Sequence, residues 1–474
     1  MWNIHHAYIA GAFVPVQGSE RLEIVGPATG QAIGTVTLAN RDDAKRAIEA
    51  AARAQPAMAG SSKAQRIAML RRLEAAVLAR TEQICEATIE EYGGPLARSR
   101  WVSNYASQCF ADTARMLEGY EFERRMGDAV VRMEPVGVAG LIAPWNSTAG
   151  SICSKLASAV AAGCASVVKP SEFSPLQARV VTEALHEAGL PAGAVNVLLG
   201  RGGDVGDEIA THPAIAKISF TGSTATGKLI ARAGLDTLKR VSLALSGKSA
   251  TVVLDDADLP AALPMALGAA FMNNGQACVA GTRLLIPNAQ MAQAIEILRA
   301  AAAAMRVGDP RDPATAVGPM ASKAQFERVQ RYIRRGLEQG ATLVAGGEGR
   351  PDGFDKGWFV RPTVFAGVRN DMDIAREEIF GPVLSMIPYD SEADAIAIAN
   401  GTDYGLAAYV QSADIARARK VGRALRAGGV HLNYPPADFH APFGGYKRSG
   451  NGREWGEAGL REYLETKAMV GYGA

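Results

Sequence analysis

Cysteine is scarce in this chain. Five occur in 474 residues, Cys85, Cys109, Cys153, Cys164 and Cys278, odd in number and widely spaced. No Cys-x-x-Cys pair or Cys/His cluster accompanies them. A disulfide framework is therefore not expected, no metal site is signalled, and the pattern fits a reducing, cytoplasmic setting. A charge imbalance is missing as well: 50 Lys+Arg against 48 Asp+Glu leave a formal net charge of +2. Without a basic stripe, no nucleic-acid partner is expected. No apolar run reaches the roughly 18 residues that a spanning helix needs, because Arg, Glu, Lys or Gly breaks each Ala-rich run. The N-terminus lacks the charged region and apolar core of a signal peptide, so no membrane association is expected. Repeats, low-complexity linkers and long charge runs are absent. So is the GxGxxG fingerprint, since Gly200-Arg201-Gly202-Gly203-Asp204-Val205-Gly206 has the wrong spacing.

What is present is a globular composition, 48% hydrophobic and 21% charged, long enough for two or more cores. Helical periodicity over 42–54 and 63–88 precedes short β-branched runs at 138–143, 166–169, 195–199, 217–220 and 251–254. Helical stretches at 155–162, 175–188 and 228–238 separate those runs. Strand, helix, strand in that order predicts a parallel sheet covered on both faces. A second series follows Cys278, with a strand at 283–286 and helices at 289–305, 323–339 and 392–399, and reads as a second α/β domain. The polar, alternating segment 119–133 reads as a hairpin leaving the domain, with 463–472 as a partner strand.

Two segments have the chemistry to hold a dinucleotide. Phe220-Thr221-Gly222-Ser223-Thr224-Ala225-Thr226-Gly227 follows a strand and opens a helix, where backbone N–H groups favour an anion and Ser223 adds a hydroxyl. By itself such a cluster is also an ordinary turn and cap. Lys169-Pro170-Ser171-Glu172 ends another strand; its ammonium and carboxylate can converge on a ribose diol, or be solvated charges.

The segment Phe271-Met272-Asn273-Asn274-Gly275-Gln276-Ala277-Cys278 resembles the nucleophile segment of the aldehyde dehydrogenase superfamily. The resemblance extends over nearly the whole chain through Pro144-Trp145-Asn146, Glu377-Glu378-Ile379-Phe380-Gly381-Pro382-Val383 and Pro442-Phe443-Gly444-Gly445-Tyr446-Lys447-Arg448-Ser449-Gly450, all in the family's order. It implies an α/β fold of the aldehyde dehydrogenase type, with two parallel-sheet domains and a β-strand oligomerisation arm. The cofactor domain is expected over 1–116 and 137–246, the catalytic domain over 247–447, and the arm over 117–136 and 448–474, building a homodimer or homotetramer. The implied reaction is NAD-dependent oxidation of a small-molecule aldehyde to the acid. A thiolate adds to the carbonyl, the thiohemiacetal collapses with hydride transfer to the nicotinamide, and water attacks the resulting thioester.

The resemblance makes Cys278 the thiol and Asn146 an oxyanion donor, and places Lys155 and Glu454 on a proton exit path. Trp145, Lys169, Ser171, Glu172, Gly206, Phe220, Gly222, Ser223, Leu245, Glu378 and Phe380 become the cofactor site. A carboxylate at Glu172 would repel a 2′-phosphate, so NAD is expected over NADP.

One family residue is missing. Where the family has Glu-Leu-Gly-Gly-Lys, with the glutamate that activates water, this chain reads Ala244-Leu245-Ser246-Gly247-Lys248. A methyl group cannot take a proton. Acylation and hydride transfer are expected to proceed and thioester hydrolysis to stall. An engineered Glu→Ala exchange in intact machinery, a natural enzyme that passes its acyl group to coenzyme A, and a catalytically weak aldehyde- or NAD-binding protein are the three readings of Ala244. The family's pocket aromatics are also missing where they are commonly found. Ser147, Gly150, Ser151 and Ser154 follow Asn146, and Ala437 precedes Phe439 and Phe443; with Ala277 and Val279 these predict a wide pocket for a bulky or aromatic aldehyde.

Overall fold

The computed structural model describes residues 1–472; Gly473 and Ala474, the end of the expected arm, lie outside the described residues. Two sheets organise the molecule. The first runs in the order Gly450–Asn451, Arg240–Ala244, Ile215–Thr221, Val138–Ile142, Ser166–Lys169, Val195–Val197, His6–Ile9 and Ala12–Pro15. Its middle strands are parallel, and both edges are antiparallel. The second runs Thr342–Ala345, Thr363–Ala366, Val383–Tyr389, Arg283–Pro287, Ala250–Val253, Ala407–Gln411 and Gly429–Leu432, parallel except for its first strand. Strand Val138–Ile142 is buried along its length, and helix Thr148–Ala162 behind it is almost wholly buried. The small residues of that helix let it lie between the sheet and helix Leu96–Glu118. Among the described residues no helix is long and apolar enough to cross a membrane, and no His/Cys/Asp/Glu group could hold a metal ion.

The structure corrects several boundaries. The 63–88 stretch is two helices, Lys63–Leu78 and Thr81–Tyr92. The Ser62 hydroxyl caps the first through Gln65 N–H, and the capping box is completed by the Gln65 side chain. The strands within 1–37 were not anticipated; two of them form the antiparallel edge of the first sheet, and three pair separately. Helix Thr224–Ala233 begins four residues before the expected 228, because Ser223 accepts from Thr226 N–H as its N-cap. Segment 448–474 is not one arm. Gly450–Asn451 closes the edge of the first sheet, and only Leu464–Val470 joins the hairpin Glu123–Met126 and Ala129–Pro135, in the order Leu464–Val470, Ala129–Pro135, Glu123–Met126.

Candidate active site

The Cys278 loop is held in a conformation that the sequence Asn-Asn-Gly makes accessible. Helix Leu259–Phe271 ends and three consecutive residues turn left-handed: Asn273 at φ 55°, Asn274 at φ 60° and Gly275 at φ 71°. Asparagine and glycine are the residues that tolerate this region. A Cβ on Gly275 would lie 2.3 Å from the Gly381 carbonyl carbon, so nothing larger fits. Both asparagines are buried and wired. Asn274 donates to the carbonyls of Gly93 and Pro319 and accepts from Gly318 N–H. Asn273 donates to the Asn146 and Gln276 carbonyls, while Tyr92 donates its hydroxyl to the Asn273 carbonyl and accepts from Gln276 Nε2.

Asn146 meets this loop from the other side. Its Nδ2 donates to the Gln276 carbonyl at 2.8 Å. One of its two amide hydrogens is thus engaged and the other is available for an oxyanion. The Ala244–Lys248 segment passes directly behind the cysteine, where a Cβ on Gly247 would stand 2.2 Å from the Cys278 carbonyl oxygen. Ala244 is buried at the end of its strand, in register with Thr221 on one side and Gly450 on the other.

Cys278 is half-buried, unlike the other four cysteines, which are buried. Burial pushes its thiol up to about 12 and the Glu378 charge adds to this, while the N–H groups of Cys278 and Val279 act in the opposite sense. The free protein therefore carries little thiolate near neutrality. Iodoacetamide alkylation of Cys278 without dinucleotide is expected to rise about tenfold per pH unit between roughly pH 7 and 10. A rate that levels off near pH 8 would contradict this.

The residues expected to hold a dinucleotide lie at strand ends and one helix start. Lys169 Nζ and Glu172 Oε2 are 2.9 Å apart, the Ser171 hydroxyl accepts from Phe173 N–H, and the Lys169 stem runs beside Gly206. Arg201 lies 3.7 Å from the same carboxylate, so Glu172 sits between two cations. Gly222 lies against the Phe220 ring; a Cβ there would come within 2.4 Å of it, and only glycine keeps the start of helix Thr224–Ala233 open. Leu245 supports that helix from below, packed where Gly227 has no side chain. Glu378 is half-buried, accepts from Gly247 N–H at 3.0 Å, and has its carboxyl raised by desolvation. Its loop is tied by Arg328 and Gln325 to the carbonyls of Glu378, Ile379 and Phe380, and the Phe380 ring meets Trp145 edge-on at 5.3 Å. An anion-favouring helix start, a Lys/Glu pair at a strand end and a second carboxylate beside the cysteine fit a nicotinamide dinucleotide.

Buried Lys155 and half-buried Glu454 form an ion pair at 2.6 Å. Ser219 also accepts from Lys155, and Ser154 and Thr221 donate to the Glu454 carboxylate. Because Thr221 is the strand neighbour of Ala244, this pair lies one strand from the missing glutamate.

The aromatic bulk expected to be missing is supplied from elsewhere. Gly150 faces Tyr105, whose ring would lie 2.7 Å from a Cβ there. Tyr105 stacks on Trp101 and lies 4.7 Å from Phe439, and Trp455 packs on Phe439 and Phe443. Small residues at Gly150 and Ser154 thus make room for helix Leu96–Glu118 rather than for a wide cavity. Ser147 stands at the N-terminal boundary of helix Thr148–Ala162 without a capping side-chain bond, Ser151 lies in its first turn, and the Val279 carbonyl, two residues after Ala277, accepts from Tyr409. Ala437 is exposed on its loop, and Asp438 is used locally, accepting from His440 N–H.

Sequence reasoning missed Trp101, Tyr105, Trp455 and the Tyr92–Gln276 bond. It also passed over the second departure in the Ala244 segment, Ser246, whose carbonyl accepts from the Ser449 hydroxyl and which precedes the Gly247 N–H that donates to Glu378.

Comparisons with known proteins bear on this geometry. The profile of the aldehyde dehydrogenase family matches residues 13–469. A 3-succinoylsemialdehyde-pyridine dehydrogenase of Pseudomonas sp is 43% identical over 467 residues, 98% of each chain. A crystal structure of an aldehyde dehydrogenase C mutant from Pseudomonas syringae with NAD+ and octanal superposes with a TM-score of 0.98 at 43% identity, covering 99% of this chain and 97% of that one. The betaine aldehyde dehydrogenase of Staphylococcus aureus with NAD+ follows at TM-score 0.95 and 33% identity, covering 99% and 95%. With matches of this extent around a wired cysteine loop, the chain belongs to the aldehyde dehydrogenase family, whose general reaction is NAD-dependent aldehyde oxidation.

Proposed function

We propose that this protein oxidises an apolar-bodied aldehyde, aromatic or long-chained, through a thiohemiacetal and a thioester on Cys278, and that Ala244 stalls it at the thioester. The observation that carries this reading is the cysteine loop itself. Cys278 stands between the Asn146 amide, its own backbone N–H and the Ala244–Lys248 segment, with every group present except a base for water. Asn146 and the Cys278 N–H receive the oxyanion, and Glu378 orients the ribose next to the nicotinamide. The bound dinucleotide supplies the hydride acceptor. Glu454 and Lys155 carry a proton away from the cysteine side of the sheet. The rings of Trp101, Tyr105, Phe439 and Trp455 favour an apolar body over acetaldehyde.

NAD is favoured over NADP by the Glu172 carboxylate, although Lys169 and Arg201 beside it soften the repulsion. The exposed edge strands Glu123–Met126 and Leu464–Val470 support a homodimer or homotetramer built by strand addition, and the free thiols support a cytoplasmic location.

A glutamate exchanged for alanine accounts for one departure. Ser246 is a second one in the same segment, next to the Gly247 N–H that donates to Glu378, and transfer of the acyl group to coenzyme A is the alternative reading. Rapid-mixing NADH formation separates the two. The expected result is a burst of about one NADH per competent site, then a slow phase, smaller with NADP. Acceleration of the slow phase by coenzyme A would select the alternative. Fast sustained turnover to free acid would refute the role given to Ala244, and no burst with any aldehyde would leave only binding.

A further inference from the structure

Helix Lys323–Glu338 carries a polar stripe besides the apolar one that enters the core. Gln325, Arg328, Tyr332, Arg335 and Gln339 recur at steps of three and four, so they share one face. Each of them bonds to the segment 373–380, which ends in the Glu378 loop. Gln325 Nε2 donates to the carbonyls of Ile379 at 3.1 Å and Phe380 at 2.6 Å. Arg328 donates to those of Glu378 and Ile379, and Tyr332 donates its hydroxyl to the Glu377 carboxylate. Arg335 pairs with the Asp373 carboxylate, and Gln339 Oε1 accepts from Asp373 N–H at 2.9 Å. Phe380 is held at φ 63°, a left-handed value that a phenylalanine keeps only where its surroundings fix it. Tyr332 stands at the centre of this row and serves two neighbours. Its hydroxyl accepts from Arg328 Nη2 at 3.3 Å while donating to Glu377, and the Arg328 guanidinium lies 4.9 Å over its ring. The one side chain thus fixes Glu377 directly and, through Arg328, the carbonyls of Glu378 and Ile379. Glu378 in turn rests its carboxylate on Gly247 N–H at 3.0 Å. Tyr332 is buried, and burial with the Glu377 contact pushes its phenol up to about 12, so it stays a donor near neutrality.

We propose that Tyr332 is a positioning residue for the dinucleotide: through Glu377 and Arg328 it holds the Glu378 carboxylate where the nicotinamide-side ribose is received. This rests on the reading of Glu378 as the carboxylate that orients that ribose, and extends it to a tyrosine on a neighbouring helix. A loop that must be ordered when the ligand arrives subtracts that ordering from the affinity, and a loop fixed beforehand does not. The Cys278 loop is fastened separately, through Tyr92, Gly93, Gly318 and Pro319. Nucleophile and ribose carboxylate therefore respond to different substitutions.

The test is calorimetric titration of the full chain with NAD and with ADP, which lacks the nicotinamide-side ribose. Tyr332→Phe keeps the ring, its packing and its place under Arg328, and loses only the hydroxyl. NAD is expected to bind about three- to tenfold more weakly in Tyr332→Phe, as for the loss of one hydrogen bond, while ADP binding stays within about twofold. Glu377→Ala should match Tyr332→Phe, and Glu377→Gln, which keeps an acceptor, should recover most of the loss. The double variant Tyr332→Phe/Glu377→Ala should bind NAD no more weakly than the worse single variant, because both remove the same bond. Alkylation of Cys278 by iodoacetamide without dinucleotide should stay within about twofold in every variant, reporting an intact cysteine loop. Equal losses of NAD and ADP affinity, or alkylation altered as much as NAD binding, would make Tyr332 a general support of the fold and overturn the assignment. Unchanged NAD affinity in Tyr332→Phe would overturn it as well. Glu378→Gln locates the failure. If that variant also binds NAD as before, the ribose role of Glu378 fails and takes the inference with it. If it binds NAD more weakly while Tyr332→Phe does not, the ribose role stands and Tyr332 alone falls.

Discussion

Ala244→Glu is expected to raise the steady-state rate of acid formation by roughly 10²–10⁴-fold while changing the NADH burst far less, because general-base help of that size acts on thioester hydrolysis and not on the steps before it. Ala244 lies three residues before Gly247, which presses on the Cys278 carbonyl. Thr221, the strand neighbour of Ala244, already donates to Glu454, which in turn pairs with Lys155. A proton taken from water by the new carboxylate therefore has a route to an ion pair one strand away. The distinguishing measurement is the ratio of slow-phase rate to burst rate in the two proteins with the same aldehyde. If Ala244→Glu leaves that ratio where it was, hydrolysis is not the step that Ala244 limits, and coenzyme A stimulation becomes the reading to pursue. Ser246 sharpens this test, since it adjoins Gly247, whose N–H donates to Glu378. Should Ala244→Glu fall short, adding Ser246→Gly isolates the effect of the second departure.

The parts of the site that were legible in the sequence are those where chemistry and backbone geometry demand a contiguous string. Asn273, Asn274 and Gly275 must turn left-handed in succession, and few residue types can follow that path, so the nucleophile segment carries its own signature. Lys169 and Glu172 are three apart at a strand end and meet without help from any other element. The aromatic group was not legible, because Trp101, Tyr105, Phe439 and Trp455 come from a helix and two distant loops, and none stands out in its local sequence. Reading pocket width from two loop positions ignored what the small residues at Gly150 and Ser154 make room for. The arm divided where it did because Gly450–Asn451 has free backbone groups of Leu243 and Ala244 to pair with, a matter of register that an isolated segment does not encode.

Asn146→Ala is expected to slow the burst by about 10²–10³-fold, which is the loss of about 3 kcal/mol of oxyanion stabilisation from one donor. The effect belongs to the burst because negative charge develops on the former carbonyl oxygen during thiol addition, before any water is needed. Asn146 also helps hold the loop, since its Nδ2 donates to the Gln276 carbonyl at 2.8 Å. That carbonyl keeps a second donor, Asn273 Nδ2 at 3.2 Å, and the loop is further pinned through Tyr92 and Asn274. The truncation should therefore remove the oxyanion donor without releasing the cysteine. Alkylation of Cys278 by iodoacetamide provides the control, because displacement of iodide generates no oxyanion. A burst slowed a hundredfold with an alkylation rate changed only a few-fold identifies a donor to the transition state. Comparable slowing of both would assign Asn146 to loop support, and a burst within about threefold of the unaltered protein would remove it from the reaction altogether.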